Sequence, residues 1–268
     1  MSRIHTRLNS LRGSGRKALV TFITGGDPNK ATTAPAMHAL VAGGADVIEV
    51  GVPFSDPEAE GPAIQRSSER ALVAGTRLVD ILDVVREFRA EDAMTPVLLM
   101  GYLNSVERMG YREFVNRAAA AGVDGLVIVN LPPEEAGELL ELMRARGLEL
   151  IFLVAPTTTP QRIGLIAAKA GGFIYYVALK GVTGAMHLRT DGIAEQIARI
   201  RSHTDLPIMI GFGIKDGTSA RMVAPLADGV VLGTSLVATM ERHRQEPQRI
   251  ASALREQIQE IRTAIDII

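Results

Sequence analysis

The stretch DVIEVGVPFSDPEAEGP, residues 46–62, holds a strand and the loop that follows it. Its first residues, Asp46–Val50, form the short apolar run that is typical of a buried strand. One carboxylate, Glu49, interrupts the run near its end, and a loop rich in Pro, Gly, Ser and Asp follows before a helical pattern resumes. Burying a carboxylate costs free energy, so a strand-end Glu usually has a partner or a chemical role. Further acids in the loop can complete an acid–base pair with it: Asp56, Glu58 and Glu60.

The same alternation of strand, loop and helix extends along the whole chain. The predicted strands are Ala18–Thr24, Asp46–Val50, Pro96–Gly101, Gly125–Val129, Leu148–Val154, Phe173–Val177, Pro207–Ile210 and Gly229–Leu232. The predicted helices between them are Thr32–Ala42, Ala71–Phe88, Tyr111–Ala121, Pro133–Arg146, Pro160–Lys169, Gly192–Ser202 and Thr218–Pro225. About eight such units in roughly 250 residues predict an α/β fold, the (β/α)8 TIM barrel. A doubly wound open sheet is the alternative, but no G-x-G-x-x-G follows the first strand.

The two ends of the chain predict helices that are additional to the barrel. Ile4, Leu8 and Leu11 form one apolar stripe, and a second stripe runs from Leu254 to Ile265. We expect both helices to pack on the barrel; the alternative is a helix that binds a partner. The charged stretch Glu241–Gln248 predicts a solvated loop. No linker divides the chain, so we predict a single domain over residues 1–268.

Composition excludes several classes of function. The formal net charge is -1 and no polybasic block is present, which argues against binding of nucleic acid or of a membrane surface. The N-terminus lacks the apolar core of a signal peptide, and no apolar run is long enough to cross a bilayer. The chain contains no cysteine, and its five histidines are scattered without a close ligand pair. We therefore expect a cytoplasmic protein without a metal site.

Glycine-rich loops follow the last three predicted strands: Gly181–Gly184, Gly211–Gly213 and Gly233–Ser235. Ligands of a barrel of this kind bind at the C-terminal ends of the strands, and the loops after strands seven and eight commonly hold phosphate. Glycine lets backbone N–H groups approach an anion closely, and helix N-termini add a favourable dipole. Three adjacent loops favour a phosphate site. Lys180 lies beside the first of them, where a solvated loop lysine or a contact with phosphate is favoured over a Schiff base.

Taken together, these motifs resemble the alpha subunit of tryptophan synthase. The resemblance runs nearly end to end, and Pro53–Pro57 with the preceding Glu49 is its most specific part. The matching segments are Ala18–Pro28, Gly44–Pro62, Pro96–Asn104, Gly122–Glu135, Tyr175–Ala185, Gly211–Ile214 and Ala227–Val237.

The resemblance implies a lyase that cleaves indole-3-glycerol phosphate to indole and glyceraldehyde 3-phosphate, without a cofactor or a metal. Glu49 matches the family's catalytic glutamate, which donates a proton to indole C3 and accepts one from the glycerol hydroxyl. Burial is expected to raise the pKa of Glu49 and to ease both transfers near neutral pH. Glu60 matches a second catalytic acid, which accepts a hydrogen bond from the indole N–H as positive charge develops there.

The resemblance also implies substrate-binding residues. Phe22, Tyr102, Tyr175 and Phe212 match positions around the indole ring, Thr183 matches a mobile loop that closes over the substrate, and Gly184, Gly213, Gly233 and Thr234 match the phosphate cradle. Each apolar residue, taken singly, is also compatible with ordinary barrel core. The implied partner is the beta subunit, in an alpha–beta–beta–alpha complex.

Three departures from the family pattern lie close to this site. Glu60 replaces the usual Asp, which moves the carboxylate by about an ångström. Asn130 replaces a common Asp, and Glu58 replaces an apolar residue on the loop that faces the beta subunit. These departures leave alternatives open: a stand-alone lyase, or a weakly catalytic paralogue that binds and activates a beta subunit. A different phosphate-sugar barrel, such as an epimerase, leaves Pro53–Pro57 unexplained.

Overall fold

Eight parallel strands close into a barrel in the computed structural model, which describes residues 2–178, 190–211 and 213–267. Each strand pairs with the next along the chain. Closure comes from pairing of the first strand with the last, with Thr21 opposite Leu232. The strands are β1 (Ala18–Thr24), β2 (Val47–Gly51), β3 (Val97–Gly101), β4 (Gly125–Ile128), β5 (Glu149–Val154), β6 (Ile174–Val177), β7 (Ile208–Gly211) and β8 (Gly229–Leu232). The predicted barrel is confirmed, and the open sheet is wrong.

Helices surround the barrel and cover its outer face. Those of the described residues are α1 (Arg3–Gly13), α2 (Lys30–Gly43), α3 (Pro62–Val73), α4 (Leu78–Arg89), α5 (Leu103–Met109), α6 (Tyr111–Ala121), α7 (Gly137–Arg144), α8 (Pro160–Lys169), α9 (Thr190–Arg201), α10 (Gly217–Val223), α11 (Thr234–Arg242) and α12 (Ile250–Asp266). Short 3-10 turns occur at Ala224–Leu226 and Pro247–Arg249.

Alternation along each strand divides the core into two clusters, because successive side chains point to opposite faces. Ile48 and Val50 of β2 belong to the large cluster between the sheet and the helices. Val47 belongs to the second cluster, which fills the barrel interior with residues such as Val20 and Leu98. Glu49 lies two residues after Val47, so it points into the interior near the C-terminal end of β2.

The helices at the two chain ends pack on the barrel as predicted. Ile4, Leu8 and Leu11 of α1 belong to the interior cluster, so α1 closes the end of the barrel where the strands begin. α12 packs against α2, with Leu254, Ile258 and Ile261 fully or almost fully buried. The opposite end, where the strands finish, is the end that carries the candidate site.

The predicted helix Ala71–Phe88 is wrong, because the structure has two helices in this region. α3 already begins at Pro62, where the fixed φ of proline suits the first helical position. It ends before Gly75, whose φ of 77° is left-handed. The Thr76 N–H then donates to the Ala71 carbonyl, a bond that terminates helices of this kind.

Three other predicted elements need correction. The helix predicted from Pro133 begins only at Gly137, because hydrogen-bonded turns occupy the residues between. The sequence reading omitted α5 and α11. The stretch predicted as a solvated loop from Glu241 begins inside α11, and the Glu241 side chain forms ion pairs with two arginines of α3.

Candidate functional site

Glu49 is a fully buried acid without a hydrogen-bond partner. Its side chain is 0% exposed, and neither carboxylate oxygen contacts a donor among the described residues. Burial raises the pKa of Glu49 to about 8, and the negative charge of Glu60 contributes to the rise. The carboxyl therefore holds its proton at neutral pH. A buried acid that is poised in this way can both donate and accept a proton.

Glu60 lies on the loop between β2 and α3 and faces the same space. It is partly buried, and burial raises the pKa of its carboxyl to about 7. Glu49 is fully buried and its pKa is raised further by the charge of Glu60, whereas Glu60 is only partly buried, so Glu60 is the acid that ionises first. Different environments that separate the pKa values of two acids are typical of an acid paired with a carboxylate.

Tyr175 belongs to the same group of side chains. It packs at the edge of the interior cluster, and burial raises the pKa of its hydroxyl well above the ordinary value. The charges of Glu49 and Glu60 raise that pKa further, so the phenol faces both acids.

Two glycines make room for the aromatic side chains of the site. A Cβ at Gly51 would lie 2.7 Å from the ring of Phe22, and one at Gly211 would lie 2.6 Å from the ring of Tyr175. Gly51 is a site residue that is absent from the predicted set, although the two-residue period places it on the same face of β2 as Glu49.

A small cleft, open to solvent, lies between β1, β2, β3 and the start of α3. Glu60 lines it together with Phe22 and Tyr102 of the predicted site. The remaining lining residues are Thr24, Gly51, Val52, Phe54, Pro57, Ile64, Ser68, Met100 and Gly101. The lining is mostly apolar, with one carboxylate at its edge, which suits a flat apolar ring that carries a polar N–H.

Tyr102 holds the loop that carries Glu60. The Ala59 N–H donates to the Tyr102 hydroxyl oxygen at 2.9 Å, and the Phe54 ring stacks on the Tyr102 ring with centroids 5.0 Å apart. The Gln65 side-chain amide donates to the Glu60 carbonyl at 2.9 Å. Tyr102, which follows β3, and Gln65 of α3 therefore fix the loop on both sides of the Glu60 side chain. Sequence analysis placed Tyr102 near the indole but had no means of detecting the bond to Ala59.

Replacement of Tyr102 with Phe keeps the stacked ring and removes the hydrogen-bond acceptor. Loss of one bond of this kind costs about 1 kcal/mol. We expect faster amide hydrogen exchange at residues 55–61 and a fall in kcat/KM of about fivefold, the rate equivalent of that free energy. Tyr111→Phe is the control, because it removes an exposed hydroxyl that bonds Glu107 on a surface helix. Unchanged exchange in Tyr102→Phe would show that the hydroxyl does not hold the loop.

Of the three predicted phosphate loops, Gly233–Ser235 lies wholly within the described residues and Gly211–Gly213 lies there in part. Gly213 follows β7 with a left-handed φ of 47°, and α10 begins four residues later. Gly233 precedes α11, and Thr234 is the first residue of that helix. The buried Ser235 hydroxyl has no hydrogen-bond partner within the described part of the chain. A Cβ at Gly233 would lie 3.4 Å from Phe22, so this loop adjoins the apolar pocket. Thr183, Gly184, Phe212 and Lys180 lie outside the described residues.

Asn130 has a structural role at the edge of the site. Its carbonyl oxygen accepts the Leu103 N–H at 2.8 Å, and its amide nitrogen donates to the Asn104 side chain. These bonds join the start of α5, which follows β3, to the turn that follows β4. The side chain is exposed, so the asparagine does not place an uncompensated polar group inside the pocket.

No group of three His, Asp or Glu side chains in residues 2–178, 190–211 and 213–267 is arranged to hold a metal ion. None of the helices in the same ranges is long and apolar enough to cross a membrane.

Comparisons with known proteins agree on one family. A family model described as tryptophan synthase alpha chain matches residues 8–266. The tryptophan synthase alpha chain of Nitrosococcus oceani is 53% identical over 266 residues, which cover 99% of this chain and 98% of that protein. The alpha chain of Thioalkalivibrio sulfidiphilus is also 53% identical, over 99% of this chain and all of its own length.

Solved structures of tryptophan synthase chains have the same fold as this chain. Tryptophan synthase subunit alpha from Legionella pneumophila superimposes with a TM-score of 0.93 at 41% identity and covers the whole of both chains. A chain of tryptophan synthase from M. tuberculosis, in an aminoacrylate-bound form, has a TM-score of 0.88 at 33% identity and covers 99% of this chain and the whole of its own length.

Proposed function

Because the chain belongs to the tryptophan synthase alpha chain family, we propose that Glu49 and Glu60 carry out its chemistry. The family's activity is the indole-3-glycerol phosphate lyase half-reaction of tryptophan biosynthesis, and this chain is such a lyase. The assignment of roles to individual residues depends above all on one observation. Glu49 is fully buried, has no hydrogen-bond partner among the residues that the structure describes, and holds its proton at neutral pH because its pKa is about 8.

The proposed reaction begins with a proton transfer from the Glu49 carboxylic acid to indole C3. The ring becomes cationic, with the positive charge centred at nitrogen, and the Glu60 carboxylate stabilises this charge by accepting the indole N–H. The Glu49 carboxylate then takes the proton of the glycerol hydroxyl next to the ring. As that oxygen becomes the aldehyde oxygen, the carbon–carbon bond breaks and its electron pair returns to the ring. Glu49 ends protonated, so no external acid or base is consumed.

The electrostatics of the two acids support this division of roles. Full burial and the charge of Glu60 both favour the protonated form of Glu49, whereas Glu60 is only partly buried and ionises more readily. Glu49 is thus suited to donate a proton first, and Glu60 is suited to accept a hydrogen bond from a developing cation.

The substrate would lie across the pocket with its ring among aromatic side chains. We assign Phe22, Tyr102 and Tyr175 to the ring, and Gly213, Gly233 and Thr234 to the phosphate. The start of α11 supplies backbone N–H groups and a favourable dipole for an anion. Thr183, Gly184 and Phe212, which lie outside the described residues, complete the proposed set on the basis of the family pattern alone.

The proposed partner is a tryptophan synthase beta subunit, in a complex of two alpha and two beta chains. The support is the family membership and the similarity to a chain of the tryptophan synthase of M. tuberculosis.

Release of indole and glyceraldehyde 3-phosphate from indole-3-glycerol phosphate tests this proposal, with the chain alone and with saturating beta subunit. We expect slow release alone and a strong increase with the partner. Fast release that the partner leaves unchanged would instead indicate a stand-alone lyase. No release under either condition, with the beta subunit activated, would indicate a paralogue that only binds its partner.

Glu58 lies exposed on the Glu60 loop, and the family pattern has an apolar residue there. If this loop meets the beta subunit, a charge at the interface must lose water on binding. We expect Glu58→Leu to increase the affinity for the cognate beta subunit about tenfold, equivalent to about 1.4 kcal/mol. Glu91→Leu is the control, because Glu91 is exposed after α4, at the other end of the barrel. Equal affinities for wild type and Glu58→Leu would contradict the proposed effect on the interface.

A further inference from the structure

An ion-pair cluster joins three segments beside the site. The guanidinium of Arg70 donates to both carboxylate oxygens of Asp27, at 2.7 and 2.9 Å. Its remaining terminal nitrogen donates to Glu241 at 2.9 Å. A second arginine, Arg66, donates to both oxygens of Glu241 at 2.8 Å but makes no bond to Asp27. Arg70 is therefore the residue of the cluster that bridges the two acids.

The three segments that the cluster joins each carry, or lie next to, a different part of the candidate site. Asp27 follows β1, the strand that carries Phe22. Arg70 is on α3, which begins two residues after Glu60. Glu241 is near the end of α11, whose first residue is Thr234 of the proposed phosphate cradle.

Arg70 and Glu241 lie far enough along their helices that a small tilt of either helix would displace residues at the site. At 1.5 Å per residue, Arg70 lies about 12 Å along α3 from Pro62, and Glu241 lies about 10 Å along α11 from Thr234. Over 12 Å, a tilt of about 5° displaces the far end of a helix by about 1 Å. A displacement of about 1 Å at a reacting group can cost about 100-fold in rate.

We propose that Arg70 is a positioning residue that fixes α3 against α11, and so holds the Glu60 carboxylate in register with the phosphate cradle at Gly233 and Thr234. This inference rests on the proposed function, because it requires Glu60 and the α11 N-terminus to bind the substrate. Arg70 itself does not line the pocket. It acts through the helices that it joins.

The two carboxylates that Arg70 contacts, those of Asp27 and Glu241, have different environments. The Asp27 side chain is 1% exposed and forms an ion pair with Arg70, so removal of the arginine charge would leave a buried carboxylate alone. Glu241 is 23% exposed and keeps Arg66 as a second partner. Substitution of Glu241 therefore tests the positioning role while the buried Asp27 keeps its ion pair, so the expected loss of stability is small.

The test compares kcat and KM of indole-3-glycerol phosphate cleavage in the complex with saturating beta subunit. Arg70→Lys keeps a positive charge for Asp27 but cannot bond both acids in the fork geometry of arginine. We expect kcat/KM to fall about 10- to 100-fold, with a lower kcat and a higher KM. Glu241→Gln keeps the Asp27–Arg70 pair and is expected to raise KM about threefold or more. Arg66→Gln is the matched control on the same helix and is expected to stay within about twofold of wild type, as exposed ion pairs contribute little.

A double-mutant cycle separates positioning from a general structural role. If Arg70 acts through Glu60, Arg70→Lys causes little further loss of kcat once Glu60 is Gln. An equal loss in both backgrounds would overturn the inference, as would wild-type kcat and KM in Arg70→Lys. Should Arg70→Lys fail to fold, an unchanged KM in Glu241→Gln overturns it. Absence of indole release by the wild type would instead contradict the proposed function.

Discussion

Replacement of Glu49 with Gln is expected to reduce indole release by about 10³-fold, within the range that a positioned acid–base group contributes. Gln has nearly the shape of Glu but can neither give a proton to indole C3 nor take one from the glycerol hydroxyl. The measurement is kcat for indole release in the complex with beta subunit. Glu149→Gln is the control, since Glu149 lies at the start of β5, at the opposite end of the barrel. A Glu49→Gln variant within tenfold of wild type would contradict a proton-transfer role.

The same variant has an expected effect on stability that depends on pH. The folded chain has a Glu49 pKa of about 8, whereas the ordinary value is 4.5. Between these values the folded state holds a proton that the unfolded state has released, so the free energy of unfolding falls as pH rises from about 4.5 through about 8. Gln does not titrate. The Tm of Glu49→Gln minus that of wild type should therefore increase between pH 5 and pH 8.5, and a constant difference would contradict the raised pKa.

Glu60→Gln is expected to lower kcat about 100-fold, because a neutral amide stabilises a cationic ring less well than a carboxylate in a water-poor site. This variant also removes the negative charge that helps to raise the pKa of Glu49. The pKa of Glu49 should consequently fall, and the alkaline limb of the kcat profile should move to lower pH. Rates measured from pH 6 to pH 9 test both effects.

Glu60→Asp tests whether the loop is built for the longer side chain. Tyr102 and Gln65 fix the backbone on both sides of residue 60, so the shorter carboxylate would lie about an ångström from the position that Glu60 reaches. We expect kcat to fall about tenfold or more, although Asp is the usual residue of the family pattern. A rate equal to that of wild type would show that the loop adapts. A kcat of Glu60→Gln within threefold of wild type would contradict a role for the charge itself.

The parts of the fold and site that local sequence signals determine were predictable. The alternation of strands with helices, together with the lengths of the apolar runs, predicted the barrel. The position of Glu49 near the end of an apolar run predicted that it lies in a buried strand. Helix α3 was missed at its start because the Gly61–Pro62 junction was read as loop, and its end at Gly75 was missed because the apolar spacing continues beyond it.

The contacts that shape the site were not predictable, because they join residues far apart in sequence. The Ala59–Tyr102 bond spans 43 positions, and the Arg70–Glu241 pair spans 171. No periodicity encodes which loop a side chain will reach. The error at Glu241 has the same origin: a charged stretch is typical of solvated chain, and only the approach of α3 makes it an ion-pair partner.

Infrared titration of the Glu49 carboxyl tests the central claim most directly, because that claim is that a buried acid holds a transferable proton at neutral pH. The spectrum of Glu49→Gln is subtracted from that of wild type between pH 5 and pH 10, in the carbonyl region of protonated carboxylic acids. The expected result is an acid band at pH 6 that disappears with a midpoint near pH 8, the pKa of the buried group. Absence of that band at pH 6 would mean that Glu49 is already ionised and cannot donate the first proton.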